Sequence, residues 1–279
     1  MAWLQVFRIQ QWPKNLFVLA GLLFGGRWGE PGAVRAALII LLLFCLTSSL
    51  TYLWNDLRDA AGDRRHPRKA QRPIAAGRIA PAAGWTALVG GLLLLAALVL
   101  LLHPRGLPFL AAYLLLNAGY SLGLKRVPVL DLLLITAGFV IRVLAGTHAV
   151  QVPASAWILL CTGALAFFLA VAKRRLDLPD EGSGETPTFR GYQPAFLDQL
   201  LAMSAGWTVL FYGLYCSELN QRQLSAHTFL WTLPFVLFGV LHYLRRVQAL
   251  KGSGRGLLLD APLAATVAGW LATCWILLR

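Results

Sequence analysis

The chain has 279 residues, 58% hydrophobic and only 13% charged, and 25 Lys and Arg against 12 Asp and Glu give a formal net charge of +13. That composition excludes an ordinary soluble domain, and because the cations are not gathered on one soluble face, nucleic acid is excluded as a partner. Strand-like alternation is absent, so the integral membrane protein that remains is all-α.

In chain order, breaks at Gly, Pro and charge clusters predict nine spans, at about 13–29, 33–54, 85–102, 108–124, 130–149, 154–172, 197–217, 227–243 and 257–278. These approach or reach the length that crosses a ~30 Å hydrocarbon core as helix. Apolar stretches recur to the last residue and the first has no small-residue cleavage site, so no segment reads as a removable signal. Lys14 stands at the start of the first span, either as an interfacial anchor or as a phosphate ligand.

The second span runs into NDLRDAAGDRRHP, residues 55–67. If the helix continues past Trp54, then Asp56, Asp59 and Asp63 stand at i, i+3 and i+7 and share one face, with Asn55 at its edge. Three carboxylates within roughly 10 Å along a helix repel one another, and at a membrane boundary they need cations. Mg2+ takes one or two carboxylates together with phosphate oxygens and water, so the array suits a diphosphate held through metal. The plainer alternative is surface pairing with Arg58, Arg64 and Arg65. The next stretch, HPRKAQRPIAAG, keeps supplying cations able to grip phosphate.

Lys125 and Arg126 close the fourth span, Asp131 opens the fifth, and Arg142 lies eleven residues further on, inside the membrane. An intramembrane Arg is functional by default and needs a partner, whether an anion or a polar group between helices. Lys173, Arg174 and Arg175 close the sixth span; the first two are candidate phosphate ligands and Arg175 reads as surface. Tyr120, Tyr212 and Tyr215 are candidates to hydrogen-bond a substrate. Cys45, Cys161, Cys216 and Cys274 fall in apolar spans without metal-ligand spacing and read as small core residues. Five scattered histidines make no metal site.

Arg27, Arg35, Arg105, Arg222 and Arg279 are the cations on one side of this layout; all others, Arg142 apart, fall on the side of the N-terminus. The positive-inside rule then puts the N-terminus and the long loops after spans two, six and eight in the cytoplasm. The chain reads as a single multi-pass domain over 1–279 in the cytoplasmic membrane, with cytoplasmic cap loops at about 55–84 and 173–196.

Asn-Asp-x-x-Asp-x-x-x-Asp at 55–63 with the downstream Arg-Pro-Ile-Ala-Ala-Gly resembles the first aspartate-rich motif of the UbiA superfamily of intramembrane prenyltransferases. The resemblance spans essentially the whole chain and implies nine transmembrane helices around a central cavity, capped by cytoplasmic loops 2–3 and 6–7. Members usually carry a second aspartate-rich motif in loop 6–7. Here KRRLDLPDEG, 173–182, repeats the D-x-x-D spacing at Asp177 and Asp180 but puts three cations in front of it. QWPKNLFVLAGLLFGG (11–26), YSLGLKRVPVLDLLLITAGFVIRVLAG (120–146), AKRR (172–175) and RGYQPAFLDQLL (190–201) are similar to the polyprenyl-phosphate phosphoribosyltransferase branch.

That branch implies a phosphoribosyl diphosphate donor, a polyprenyl phosphate acceptor and Mg2+, with lipid-linked phosphoribose for cell-envelope glycans as product. The implied ligand set is Asp56, Asp59 and Asp63 for metal, and Lys14, Asn55, Arg65, Lys69, Arg72, Tyr120, Lys125, Asp131, Arg142, Lys173 and Arg174 for substrates. A lipid phosphate is already anionic near neutral pH, its second pKa being about 6, so a site rich in cations and poor in bases suffices. Two other readings stay open: a UbiA-type aromatic prenyltransferase using a polyprenyl diphosphate, and a non-enzymatic transporter, against which no inverted repeat is evident. A homo-oligomer is compatible with the sequence.

Overall fold

Proline marks where several of the long helices begin, because its fixed φ suits a first helical turn and its missing N–H costs nothing there. In a computed structural model describing residues 2–65, 69–178, 191–222, 228–249 and 260–277, Pro31 and Pro81 each stand in a helix's first turn. The elements are α1 (Ala2–Val6), a 3₁₀ segment (Ile9–Leu19), α2 (Ala20–Phe24), α3 (Pro31–Asp63), α4 (Pro81–Leu102), α5 (Leu107–Leu122), α6 (Leu130–Ala149), α7 (Ala156–Leu176), α8 (Pro194–Arg222), α9 (Leu233–Ala249) and α10 (Ala261–Leu277). Short 3₁₀ turns join some of them, and no strand occurs among the described residues. Among the described residues, each expected apolar stretch lies mostly on helix. By length and composition, α3, α4, α6, α7 and Pro194–Leu219 of α8 are able to cross a membrane.

The chain forms two compact units, Met1–Gly123 with Ile141–Ala154, and Leu124–Val140 with Ser155–Arg279. In the first, α3 is the central element. Its Ile40, Phe44, Leu50 and Leu53 pack with Leu88, Leu95 and Val99 of α4, Leu110 of α5 and Ala145 of α6. The most apolar window of α3 is 61% buried and that of α4 only 17%, so α4 keeps most of its leucines for an apolar surround.

The 3₁₀ segment carries the N-terminal polar residues onto this core. A 3₁₀ helix has three residues per turn, so residues three apart eclipse one another. Trp12, Asn15 and Val18 therefore line one edge, and Gly21 of α2 continues it. Trp12 Nε1 donates to Ser49 Oγ at 3.0 Å, and Asn15 Nδ2 donates to Ser48 Oγ at 3.1 Å and Cys45 Sγ at 3.3 Å. As the N-terminal segment advances its α3 partners recede, so the two run antiparallel. Against the end of α6 the register rises instead: Asn15 meets Arg142, Val18 meets Gly146, Gly21 meets Thr147 and Gly25 meets Val152. Those two segments run the same way.

In the second unit α7 pairs with α8, and Leu132, Phe168, Val171, Leu197, Leu201 and Val240 form the core. Ser155 caps α7 by accepting from Ile158 N at 3.3 Å, which satisfies one of the first-turn N–H groups a helix leaves orphaned.

The contact at Gly146 admits no side chain: a Cβ there would lie 1.8 Å from the Val18 carbonyl oxygen. Gly146→Val is expected to lower the thermal denaturation midpoint in detergent, at a cost of roughly 1–3 kcal/mol typical of overpacking or more. Gly90→Ala on α4, where nothing lies within 4 Å, should leave the midpoint unchanged or slightly raised.

Candidate active site

The aspartates of the acidic motif extend a longer polar stripe. Cys45, Ser49, Tyr52, Asp56, Asp59 and Asp63 recur on α3 at alternating steps of four and three residues, which keeps them on one face. Asp56 is 2% exposed and Asp63 5%, and Asp59 is half-buried. Such carboxylates need cations, and two arginines supply them. Arg72 Nη1 lies 3.2 Å from Asp56 Oδ1 and 2.7 Å from Asp63 Oδ2, so one guanidinium nitrogen bridges both ends of the motif. Arg8 Nη2 lies 2.6 Å from the same Asp56 Oδ1, and its guanidinium sits 4.7 Å above the Tyr52 ring.

Local structure explains both placements. Arg72 opens a tight turn in which Ala76 N donates to Arg72 O at 2.8 Å and Arg78 N to Pro73 O at 2.9 Å. Ile74, fully buried in the α3 core, anchors this turn. Arg8 has a left-handed backbone, φ 47 and ψ 50, costing a non-glycine residue about 1–2 kcal/mol. The turn it makes between α1 and the 3₁₀ segment coincides with its contacts to Asp56 and Tyr52.

The donor set at this end of α3 suits a hard divalent ion: two buried carboxylates approach one common point, and Asp59 lies on the stripe between them. As the side chains stand, Arg72 holds that point, and among the described residues no group of three or more His, Cys, Asp and Glu is gathered for a metal. Asn55 Oδ1 accepts from Ser121 Oγ, which ties α3 to α5. Arg58, expected on the plainer reading to pair with the acids, lies over Trp54 at 5.8 Å, and Arg64 Nε donates to Ala75 O at 3.3 Å.

Arg142 forms a second group in this unit. It is 6% exposed; its Nε donates to Asn15 Oδ1 at 2.8 Å and its Nη2 to Tyr113 Oη at 2.9 Å. The guanidinium also faces the Tyr113 ring at 4.5 Å and that of Phe44 at 5.9 Å. Asn15, fully buried, gives its amide hydrogens to Ser48 and Cys45 and so presents its oxygen to Arg142.

In the other unit, Asp131 and Arg174 meet each other. Arg174 Nε lies 2.7 Å from Asp131 Oδ2, with both side chains almost fully buried. Tyr192 Oη donates to Asp131 Oδ1 at 2.5 Å and accepts from Val129 N at 2.6 Å. Burial, then the Asp131 carboxylate, pushes the Tyr192 phenol well above its usual pKa, so it stays a donor. Gly191, φ 106, lets the chain approach Pro128, since a Cβ there would lie 2.9 Å from Pro128 Cγ. Arg175, read from the sequence as surface, lies 2.7 Å from Asp198 Oδ1.

Among the other expected ligands, Lys14, Arg65 and Lys173 are exposed, and Lys69, Tyr120 and Lys125 half-buried. Asp177 is exposed at the end of α7, and Asp180 lies outside the described residues. Tyr212, a candidate to hydrogen-bond a substrate, is buried and accepts from Trp270 Nε1 at 2.6 Å. Arg8, Asn15 and Tyr113 in the first unit, and Tyr192 in the second, were not expected among these polar groups.

The model of the UbiA prenyltransferase family matches residues 15–256. The chain is 30% identical to the decaprenyl-phosphate phosphoribosyltransferase of Corynebacterium glutamicum over 98% of its own length and 84% of that protein. To the enzyme of the same name from Mycolicibacterium smegmatis it is 35% identical, over 76% and 69%. It is similar in fold to a UbiA homolog from Archaeoglobus fulgidus bound to GPP and Mg2+, with TM-score 0.73 at 19% identity, covering 100% of this chain and 99% of that one.

The Asp131–Arg174 pair gives a stability test. Arg174→Met leaves a buried carboxylate without its cation and should cost about 3–5 kcal/mol, while Asp131→Asn combined with Arg174→Met should recover part of that loss. Thermal denaturation of the three proteins in detergent measures it; equal stability of Arg174→Met and the parent would show that the pair does not hold the fold.

Proposed function

The chain belongs to the UbiA prenyltransferase family, and on that premise we propose that it transfers 5-phosphoribose from phosphoribosyl diphosphate to a polyprenyl phosphate, releasing diphosphate. It is a multi-pass membrane transferase. The observation that carries the choice of substrates is the cation surplus: Arg8 and Arg72 both crowd the first acidic motif, and, with Arg174 and Arg175 already matched by Asp131 and Asp198, the exposed Lys173 still precedes the acids of loop 6–7. Two anionic substrates need such a surplus, whereas one prenyl diphosphate between two acidic motifs does not. The names of the relatives just described support the same reading.

In this reading Asp56, Asp59 and Asp63 hold Mg2+, which when bound neutralises charge on the departing diphosphate. Arg65, Lys69 and Arg72 meet the donor's phosphate oxygens, and Asn55, Tyr120 and Lys125 border the donor. Lys14, Arg142 and Lys173 attract and orient the acceptor phosphate, which needs no general base because it is already ionised. Its oxygen forms a bond to ribose C1 as the bond from C1 to the diphosphate breaks, with inversion at C1. Asp131 and Arg174 are assigned a positioning role, fixing Tyr192 where loop 6–7 rejoins α8. The reading also takes all nine apolar stretches as spans, with the N-terminus and both long polar loops on the cytoplasmic side of the inner membrane, supported by the placement of Lys and Arg.

The acceptor test uses purified protein, labelled phosphoribosyl diphosphate, and either a polyprenyl phosphate or the uncharged polyprenol. Labelled lipid is expected from the phosphate alone, and Lys173→Ala should raise the acceptor KM. Equal use of the alcohol would contradict the reading, as would prenylation of 4-hydroxybenzoate from a prenyl diphosphate without ribosyl transfer.

A further inference from the structure

Arg72 stands where it competes with the metal its neighbours would hold. Its Nη1 contacts one oxygen of Asp56 and one of Asp63, at 3.2 and 2.7 Å. A divalent ion of Mg2+ size sits about 2.0–2.1 Å from its oxygens. Using both of these, it would lie within a few ångströms of the guanidinium and repel it, so the two cations cannot share the pair of carboxylates. Neither can the carboxylates be left bare, being 2% and 6% exposed at the side chain.

We propose that Arg72 is an exchangeable counter-cation: it keeps Asp56 and Asp63 neutralised until donor and metal arrive together, then moves to a diphosphate or phosphate oxygen of the donor. The proposal rests on the reading that Asp56 and Asp63 hold the metal. Three features fit the exchange. The Arg72 side chain is 28% exposed, so it has room to turn outward. Its backbone is anchored through Ile74, which confines the movement to the side chain. A guanidinium presents a planar fork that matches phosphate as well as carboxylate, so one charge serves both positions. Arg8 also contacts Asp56 Oδ1, at 2.6 Å, but it is stacked on Tyr52, so the exchange is assigned to Arg72, the cation that bridges the two carboxylates. The consequence is selectivity: metal alone binds weakly, donor alone binds weakly, and by linkage each strengthens the other by the same factor.

The experiment measures Mn2+ binding to the full-length protein in detergent by electron paramagnetic resonance, first without donor. Arg72→Met, uncharged and of similar length, should bind Mn2+ at least about ten-fold tighter than the parent, the low end for coupling between close charges. With saturating Mn2+ it should bind phosphoribosyl diphosphate at least about ten-fold more weakly. Arg72→Lys, which keeps the charge without the fork, should stay near the parent in Mn2+ binding. Unchanged or weaker Mn2+ binding by a monodisperse Arg72→Met overturns the proposal. If that variant does not stay monodisperse, the parent alone decides: Mn2+ affinity that fails to rise with donor, after subtracting Mn2+ held by free donor, overturns it equally. Geranyl diphosphate is run in parallel. Opposite shifts for Mn2+ and geranyl diphosphate, with no binding of phosphoribosyl diphosphate by either protein, would leave the exchange standing and remove the phosphoribosyl reading.

Discussion

The structure depends on one constraint, that a charge taken into low dielectric must keep a counter-charge or a full set of hydrogen bonds. Each buried ionic group described here obeys it differently. Asp56 and Asp63 are matched by two arginines from distant parts of the chain. Asp131 is matched by one arginine and a tyrosine, and Arg142 has an amide oxygen, a phenol and aromatic faces among its partners. The first arrangement is the more open one, since Arg72, the cation that bridges both carboxylates, is partly exposed. The second is closed, with both side chains nearly inaccessible.

Backbone geometry gives these matches their positions. The 3₁₀ winding of Ile9–Leu19 keeps Trp12, Asn15 and Val18 along one edge, whereas an α-helix would have fanned the three over about 120°. The close contact at Gly146 brings the same segment near enough to α6 for Asn15 to reach Arg142. The left-handed residue at Arg8 returns α1 so that a cation near the N-terminus reaches an aspartate 48 positions away. The ionic cluster at the end of α3 thus rests on packing among the first residues of the chain.

Sequence periodicity made the helices and the shared face of Asp56, Asp59 and Asp63 legible, because both follow from spacing along a single helix. It did not identify their cations. Arg58, Arg64 and Arg65 were the nearest candidates in sequence, whereas Arg8 and Arg72 approach through tertiary folding. Asp131 and Arg174 each read as a substrate ligand, and their mutual pairing depends on packing between α6 and α7 that neither local sequence specifies. Asn15 stood beside Lys14 in WPKN, and only the 3₁₀ register shows that it faces the core while Lys14 faces outward. Tyr192, in RGYQP, carried one usable signal, the glycine before it.

The central claim is that Asp56 and Asp63 form the metal end of a site for a diphosphate donor. The most direct measurement is an experimental structure of the full-length protein with Mn2+ and phosphoribosyl diphosphate, with the metal located by its anomalous scattering. The account predicts one Mn2+ peak bounded by oxygens of Asp56 and Asp63, the donor's diphosphate on the same ion, and the Arg72 guanidinium on a phosphate oxygen. A peak held elsewhere, with Arg72 still bridging the two carboxylates while the donor is bound, would contradict it.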